Sequence, residues 1–518
     1  MLRLGRAGRA LAAEREPYRY YSIGQAVELA AMGEPDRAFA HLGPHQAAAR
    51  QCLRQRLLSA LMWRRILPAA MIATHRVDHP AMVLPLPGPW RRTMAAQGVR
   101  VAWLRSALAW RWQVVTMAAH AIASAIKLGW ISLSGRGFVA PSVPYAVLVS
   151  LPGNAAALDD HHGHDFLAWF RRSPLRDSAV KTVFVQVTQG AHAGQAADGS
   201  RHVAVPLPAL SGWAAHLGYA FDVVLLGLKA FFGLMPFGPW WNAVLVDQEA
   251  LLRYVRRLPP TAWARDYVFN NSASLLRPLW THVAEAAGAR VSMVFYSINN
   301  EVFHKPGTTY LPLMPGHASS SWDRFGVFDA VQAAFVRRTR PRAEIIELGC
   351  VDLIDHPAEL PELPERFVAV YDVPVFRSLS LSGMGMVFPY YCEDTAMAFL
   401  LGAAEALERA GLVMVLKTKR DLGTKGVRRL RRLVTQLAAR PNVMVVHHDF
   451  AASRLSARAT GVISMPFTST AVGARVLGRP SVYFDPRNWL DECGNSLSHG
   501  IPVLTSMDKL NEWCLSLP

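Results

Sequence analysis

Residues 461–486 read GVISMPFTSTAVGARVLGRPSVYFDP, and this stretch decides the fold. Gly461–Ser464 is a short, unbroken apolar run of buried-strand type. Three hydroxyl residues follow, the next segment reads as a helix starting near Thr468 and ending at Gly478, and Ser481–Phe484 is again an apolar run. A strand, a helix and a strand of these lengths imply a parallel pair with a crossover. The same unit recurs upstream. Strands are predicted over 367–372, Val413–Lys417 and Val443–Val446, with helices over 395–410, 427–440 and 452–459, and Gly411 caps the first of these helices. A Ser/Gly-rich loop, 378–385, leads into helix 395–410. Such alternation is a doubly wound domain, in which ligands bind beyond the carboxyl ends of the strands.

The texture starts earlier. Tyr145–Leu151, Thr182–Val187, 243–247 and 267–269 each read as a buried strand, and helix 275–287, closed by Gly288, leads to strand 290–296. Residues 1–140 are mostly helical and rich in Ala, Leu and Arg, and the Pro-containing segment 341–364 reads as a connection. The expected organisation is a helical, basic region over 1–140, an N-terminal Rossmann-like acceptor domain over 141–350 and a C-terminal nucleotide-binding domain over 351–518.

The strand ends of the C-terminal part carry the chemistry. Val413–Lys417 runs into Lys417-Thr418-Lys419-Arg420, Val443–Val446 into His447-His448-Asp449, and Gly461–Ser464 into Met465-Pro466-Phe467-Thr468-Ser469-Thr470. Hydroxyls and free N–H groups at a helix N-terminus suit a phosphate, and lysines at a nearby strand end suit it further. The plainer reading makes Thr468 or Ser469 an N-cap. Adjacent His447 and His448 would point to opposite sides of an extended segment, so one at most would face a ligand. Glu393 and Asp394 either interact with the dipole of the following helix or face the donor. The run Asp159-Asp160-His161-His162-Gly163-His164-Asp165 reads as a polar loop rather than a metal site, and no metal is expected.

Net charge is +17, from 55 Lys and Arg against 38 Asp and Glu, which favours anionic partners. Nucleic-acid binding rests on this charge alone, with no recognition motif to support it. The five scattered cysteines, Cys52, Cys350, Cys392, Cys493 and Cys514, contain no CxxC pair, and neither a disulfide framework nor a zinc site is expected. Segments 114–133 and 217–235 approach the length of membrane spans. Each carries two polar or charged groups, His120 and Lys127 in one, Asp222 and Lys229 in the other. A central charge costs about 2.5–3.5 kcal/mol on insertion scales, which favours buried core helices or helices lying in a membrane surface over true spans. Trp90-Arg91-Arg92 and Trp110-Arg111-Trp112 have the aromatic-basic character of a membrane interface.

The run from Ile463 through Phe467-Thr468-Ser469 to Asp485-Pro486 resembles the bacterial polysaccharide-biosynthesis proteins named for their PFTS motif. Arg277-Pro278-Leu279-Trp280 with Phe295-Tyr296-Ser297-Ile298-Asn299 resembles that family's second block, and Lys417-Thr418-Lys419-Arg420 is similar to its basic strand end. The resemblance implies an α/β, GT-B-like architecture: two Rossmann-like domains facing a cleft, with the helical N-terminal region as an extension. It also implies a glycosyltransferase that moves a sugar from a nucleotide donor to a lipid-linked or growing surface polysaccharide. The arrangement looks like that of transferases using CMP-activated ulosonic acids, which carry a His-Pro pair where this chain has Lys417-Thr418-Lys419. On this reading Lys417, Lys419, His447, Thr468, Ser469 and Thr470 hold the donor nucleotide or its phosphate. An inverting transferase also needs a base for the acceptor hydroxyl, and Glu301, with His304 close behind, is the best-placed candidate. The nucleotide sugar is a substrate, so no separate cofactor is expected. The enzyme would sit at the cytoplasmic face of the inner membrane and bind no nucleic acid. A non-hydrolysing nucleotide-sugar epimerase is the alternative on the same fold, though it would call for more acids and histidines in the cleft.

Overall fold

The computed structural model describes the chain outside residues 1–5, 8–9, 12–18, 33–38, 77, 152–165, 188–200, 236–237, 271–275, 299–316, 318, 352–359, 374, 376–389, 420–426, 449 and 491–495. The N-terminal region is helical: α1 Arg19–Leu29, α2 Gln46–Leu61, α3 Leu67–His75, α4 Gly88–Ala96 and the long α5 Trp103–Leu133. Its core gathers Tyr20, Leu53, Met71 and Trp90.

The first α/β half runs β1 Tyr145–Leu151, α6 Phe166–Arg172, β2 Thr182–Val187, β3 Arg201–Val203, α7 Trp213–Leu234, α8 Trp240–Val244, α9 Val246–Val255, β4 Asp266–Asn270, α10 Trp280–Ala286, β5 Arg290–Val294, β6 Arg324–Val327, α11 Ala330–Thr339 and β7 Glu344–Glu347. The second runs β8 Phe367–Tyr371, α12 Glu393–Arg409, β9 Val413–Lys417, α13 Arg428–Ala438, β10 Val443–Val446, α14 Ala452–Arg458, β11 Gly461–Ser464, α15 Ser469–Val476, β12 Ser481–Phe484, β13 Val503–Leu504 and α16 Met507–Leu515.

Both sheets are parallel, and both reverse their direction of growth after their third strand. The orders are β3-β2-β1-β4-β5-β6-β7 and β10-β9-β8-β11-β12-β13, the Rossmann order in each case, so switch points lie between β1 and β4 and between β8 and β11. The central strands are buried on both faces, as β8, reading FVAVY, shows. The architecture is GT-B-like, with the helical region at its N-terminus.

The two halves touch through the loops beyond their strand ends. Asp329, just after β6, caps α11 by accepting from the Gln332 N–H at 3.1 Å and binds His499 Nδ1 at 2.7 Å. Burial pushes the Asp329 carboxyl upward, but the His499 hydrogen bond and charge outweigh it and leave the pKa below its ordinary value. An apolar cluster runs on from Leu148 and Val268 through Phe328 and Val351 to Met465, Phe467 and Leu497.

Two expectations are corrected. Residues 243–247 are not a strand: Ala243 and Val244 end α8, Leu245 joins it to α9, and Val246 and Asp247 begin α9, with Ala243 packed closely against Gly233 of α7. A five-residue apolar run carries too little periodicity to separate the two states. Segment 341–364 is not wholly a connection, since it contains β7, an edge strand whose EIIE sequence has charged ends of the kind that blunt an edge. Four cysteines, Cys52, Cys350, Cys392 and Cys514, are free and buried, and no metal-ligating cluster occurs among the described residues. Run 159–165 and Cys493 lie outside the described residues.

Gly402 lets α12 sit on β12. A Cβ there would lie 2.9 Å from the Phe484 ring and 2.9 Å from Met507 Sδ, whereas Gly227, in α7, has nothing within 4 Å. Replacing a helical Gly by Ala gains about 1 kcal/mol of propensity, while overpacking costs about 1–3 kcal/mol. Thermal denaturation followed by circular dichroism should therefore show a lower midpoint for Gly402→Ala and an unchanged or higher one for Gly227→Ala.

Candidate functional site

The switch point between β8 and β11 assembles the site. In register, Tyr371 of β8 lies beside Lys417 of β9 on one side and Ser464 of β11 on the other. Three strand ends therefore emerge together, with Asp372 between the lysine segment and the loop at 465–468. Neighbouring strands are about 4.8 Å apart, so the two basic and hydroxylic segments lie two strand spacings apart rather than side by side.

The 465–468 loop is tightly held. The Tyr391 hydroxyl donates to the Pro466 carbonyl at 2.8 Å, and the Tyr483 hydroxyl to the Thr468 carbonyl at 2.7 Å. Between these anchors Phe467 takes the left-handed conformation, with φ of 61°, its ring buried against Tyr483. A non-glycine residue stays in this region only where its surroundings over-determine it. Thr468 stands at the N-cap position of α15 without capping it. Its hydroxyl donates instead to the Met465 carbonyl at 2.9 Å. Thr470 Oγ1 bridges Thr468 Oγ1 at 3.1 Å and Ser464 Oγ at 2.9 Å. Of the three hydroxyls at this helix start, two are thus engaged within the loop. Ser469, half-exposed at the first helical position, has no hydrogen bond from its hydroxyl among the described residues. The first turn of α15 receives no side-chain cap, an arrangement suited to an anion.

Sequence reasoning passed over Asp372. It is 5% exposed, and one of its oxygens accepts from the Lys419 N–H at 2.6 Å. Burial pushes its carboxyl up to about 7, against the opposing pull of that N–H and of the Lys417 and Lys419 charges. The signal available was its place directly after an unbroken apolar strand, and burial could not be read from there. Asp485, at the end of β12, is also buried, and it is a turn organiser. It accepts from Tyr390 Oη at 2.8 Å and from the N–H groups of Arg487, Trp489 and Leu490.

The other singled-out residues are placed as follows. Lys417 is half-buried, and Lys419 is exposed. His447 and His448 do not diverge as an extended segment would require. The chain turns here, with the Phe450 N–H donating to the His447 carbonyl, and the two rings lie 4.2 Å apart. Asp394 pairs with Arg429 at 2.9 Å on the surface. Arg277, in the block over 277–280, is buried and binds Asp323 at 2.7 Å, Thr281 at 3.1 Å and Glu285, a fastening within the first half. Glu301 and His304 lie outside the described residues.

These features define a GT-B-like α/β protein whose C-terminal switch point gathers hydroxyl and basic side chains at its strand ends. The chain belongs to the family described as polysaccharide biosynthesis PFTS motif protein, which it matches over residues 226–514. No curated protein matches it in sequence. Among solved structures, UGT2 of Phytolacca americana, complexed with UDP-2fluoro-glucose and pterostilbene, is similar at 12% identity. That match covers 72% of this chain and 90% of that one, with a TM-score of 0.36. The UDP-GlcNAc 2-epimerase of Methanocaldococcus jannaschii is similar at 10% identity, over 72% and 93% of the two chains, with a TM-score of 0.34. At these values neither likeness assigns an activity.

The raised pKa of Asp372 gives a stability signature. Its contribution is fully present below the unfolded value of about 3.9 and is lost as pH rises through about 7. Asp372→Asn keeps an acceptor for the Lys419 N–H and cannot ionise. Melting temperatures of the two proteins, compared from about pH 5 to about pH 8.5, should shift in favour of the variant as pH rises to about 7 and level off above it. A constant difference would show that Asp372 titrates in the ordinary carboxylate range.

Proposed function

We propose that this protein is a glycosyltransferase of surface-polysaccharide assembly, moving a sugar from a nucleotide donor to a lipid-linked or growing glycan at the cytoplasmic face of the membrane. The observation that carries the reading is the uncapped start of α15 at the β8/β11 switch point, with a loop held rigid in front of it. Donors that need no reorganisation stabilise charge most effectively as it develops on a leaving phosphate.

In this reading the Ser469 hydroxyl and the first-turn N–H groups of α15 hold the donor phosphate. Thr468 and Thr470 shape the loop that presents them. Lys417 and Lys419 supply positive charge from the end of β9, two strand spacings away, and His447, at the end of β10, reaches the donor from the same edge of the sheet. Glu301 or His304 serves as the base that takes the acceptor proton. The donor is a CMP-activated ulosonic acid or another nucleotide sugar.

Calorimetric titration with CMP, UDP, GDP and their sugars tests the proposal. Ser469→Ala should lose about 1.5–3 kcal/mol of donor binding, since hydrogen bonds to charged groups contribute that much. Lys417→Ala should weaken binding and also slow transfer, because its charge opposes the negative charge growing on the leaving phosphate. Both variants should fold normally by circular dichroism. Wild-type donor affinity in a folded Ser469→Ala protein would reduce the motif to loop architecture.

A further inference from the structure

The α5–α7 helix pair is amphipathic in reverse. A helix on the surface of a soluble protein turns its charges to water and its apolar stripe to the core. In α7 both mid-helix charges face the protein. Asp222 is gripped by Arg253 Nη1 at 2.7 Å and by Arg257 Nε at 3.0 Å, and Lys229 Nζ donates to both oxygens of the buried Glu249 at 2.8 Å. The outer face is left to Leu217, Phe221, Val224, Leu228 and Phe232, with Phe221 62% and Phe232 63% exposed. On α5 the exposed apolar side chains Leu108, Trp112, Ile126 and Trp130 fall on one stripe at helical spacing, with Trp112 70% exposed.

The two helices form one surface. They run antiparallel, with the Tyr219 hydroxyl donating to the Ala125 carbonyl at 3.1 Å and Gly129 in contact with the Tyr219 ring. The exposed apolar side chains of both helices thus lie on one contiguous face, the kind of surface that marks an interaction site.

We infer that this face is a monotopic membrane anchor, seated in a single leaflet of a bilayer containing anionic phospholipid. Both helices are long and apolar enough to cross a membrane, as is the helical stretch Ala40–His75. Their inner sides, however, are part of the protein core: Leu226 and Ala230 pack with Ala243 and Ala250, and Leu128 and Tyr219 pack with the first sheet. Only the outer stripe is available to lipid, which corresponds to insertion of about 5–10 Å. Charge identifies the occupant. A second copy would bring two chains of net charge +17 together, whereas an anionic leaflet complements that charge. Beside the face, on the flank of α7 that carries Asp222, a cavity of about 340 Å³ is lined by Arg253, Arg256, Arg257 and His41 together with Asp222 and Glu249. Asp222 pairs with Arg253 and Arg257 and Glu249 with His41, so Arg256 is the cation proposed to meet a lipid phosphate. Exposed Trp side chains on both helices are of the type that collects at membrane interfaces. Of the Trp residues expected at the interface, Trp112 is exposed on this face, whereas Trp90 and Trp110 are buried in the core.

The inference extends the membrane-surface placement proposed above, and donor binding serves as the independent control. Full-length protein is floated with phosphatidylcholine vesicles, with or without phosphatidylglycerol, at low and high salt. The wild type should float with the anionic vesicles and stay largely bound at high salt, with its Trp emission quenched by shallow brominated lipids. The triple variant Leu217→Glu, Phe221→Glu, Leu228→Glu should lose at least about tenfold in partitioning, a change of about 1.4 kcal/mol. It should keep its fold by circular dichroism and its donor affinity by calorimetry. Arg256→Ala should reduce the preference for phosphatidylglycerol. Unchanged vesicle binding by the triple variant would overturn the inference, as would complete release of the wild type by salt. So would protease-protected fragments in sealed vesicles, which indicate a span, or a wild-type dimer without vesicle binding that the triple variant dissolves. Loss of donor binding in Ser469→Ala together with intact flotation would confirm that the two sites are separate.

Discussion

A parallel strand cannot turn back directly onto its neighbour, so each connection must cross over, and a sheet built this way is covered on both faces. Here that constraint operates twice. β1 and β8 each take neighbours on both sides, and the chain reverses its direction of growth after the third strand of each sheet. Reversal leaves a gap at the carboxyl edge, because the connections on either side leave in opposite directions. The crevice at β8/β11 comes from this topology before any particular side chain is considered.

Side chains then decide what the crevice can hold. The hydroxyls of Tyr391 and Tyr483 reach the loop from separate elements and fix the carbonyls of Pro466 and Thr468. With both carbonyls held, the backbone at Phe467 remains left-handed and α15 starts abruptly. A Thr that capped the helix in the ordinary way would occupy the first-turn N–H groups itself. Because Thr468 turns back to Met465 instead, no side chain caps those groups. The loop is buried and held on both carbonyls directly before the helix start, where Ser469 and Thr470 are half-exposed. Asp372 adds a buried carboxyl between this loop and Lys417, so the crevice contains groups of both signs.

The helical region obeys a different constraint. Charges in α7 have turned inward to form ion pairs, although water would solvate them at less cost. That arrangement fits the lipid-facing outer surface inferred above. Polarity is therefore arranged in opposite ways in two parts of the molecule: polar groups gather at the β8/β11 switch point of the second half, and apolar groups gather on the outer face of α5 and α7. The Asp329–His499 hydrogen bond and the apolar cluster that runs past it join the halves, so a membrane-seated N-terminal region would hold the crevice at a set orientation to the bilayer.

Much of the second half was legible in the sequence because its signals are local. Apolar runs of four or five residues, Gly411 and Gly478 at helix ends, and the basic and hydroxylic strand ends are each contained in a few adjacent residues. β8 to β12 accordingly lie where the pattern puts them, to within a residue. The first half was less legible: β6 and β7 are short and polar at their ends, and 243–247 is too brief to show its period. What only the tertiary structure decided were relations between distant residues. Whether Thr468 caps its helix depends on Tyr391 and Tyr483, the ionisation of Asp372 depends on what buries it, and the direction in which Asp222 and Lys229 point depends on Arg253, Arg257 and Glu249. A sequence states the chemistry of each group at its own position. Burial, pairing and facing belong to the packed chain, because each is set by atoms contributed from elsewhere in the molecule.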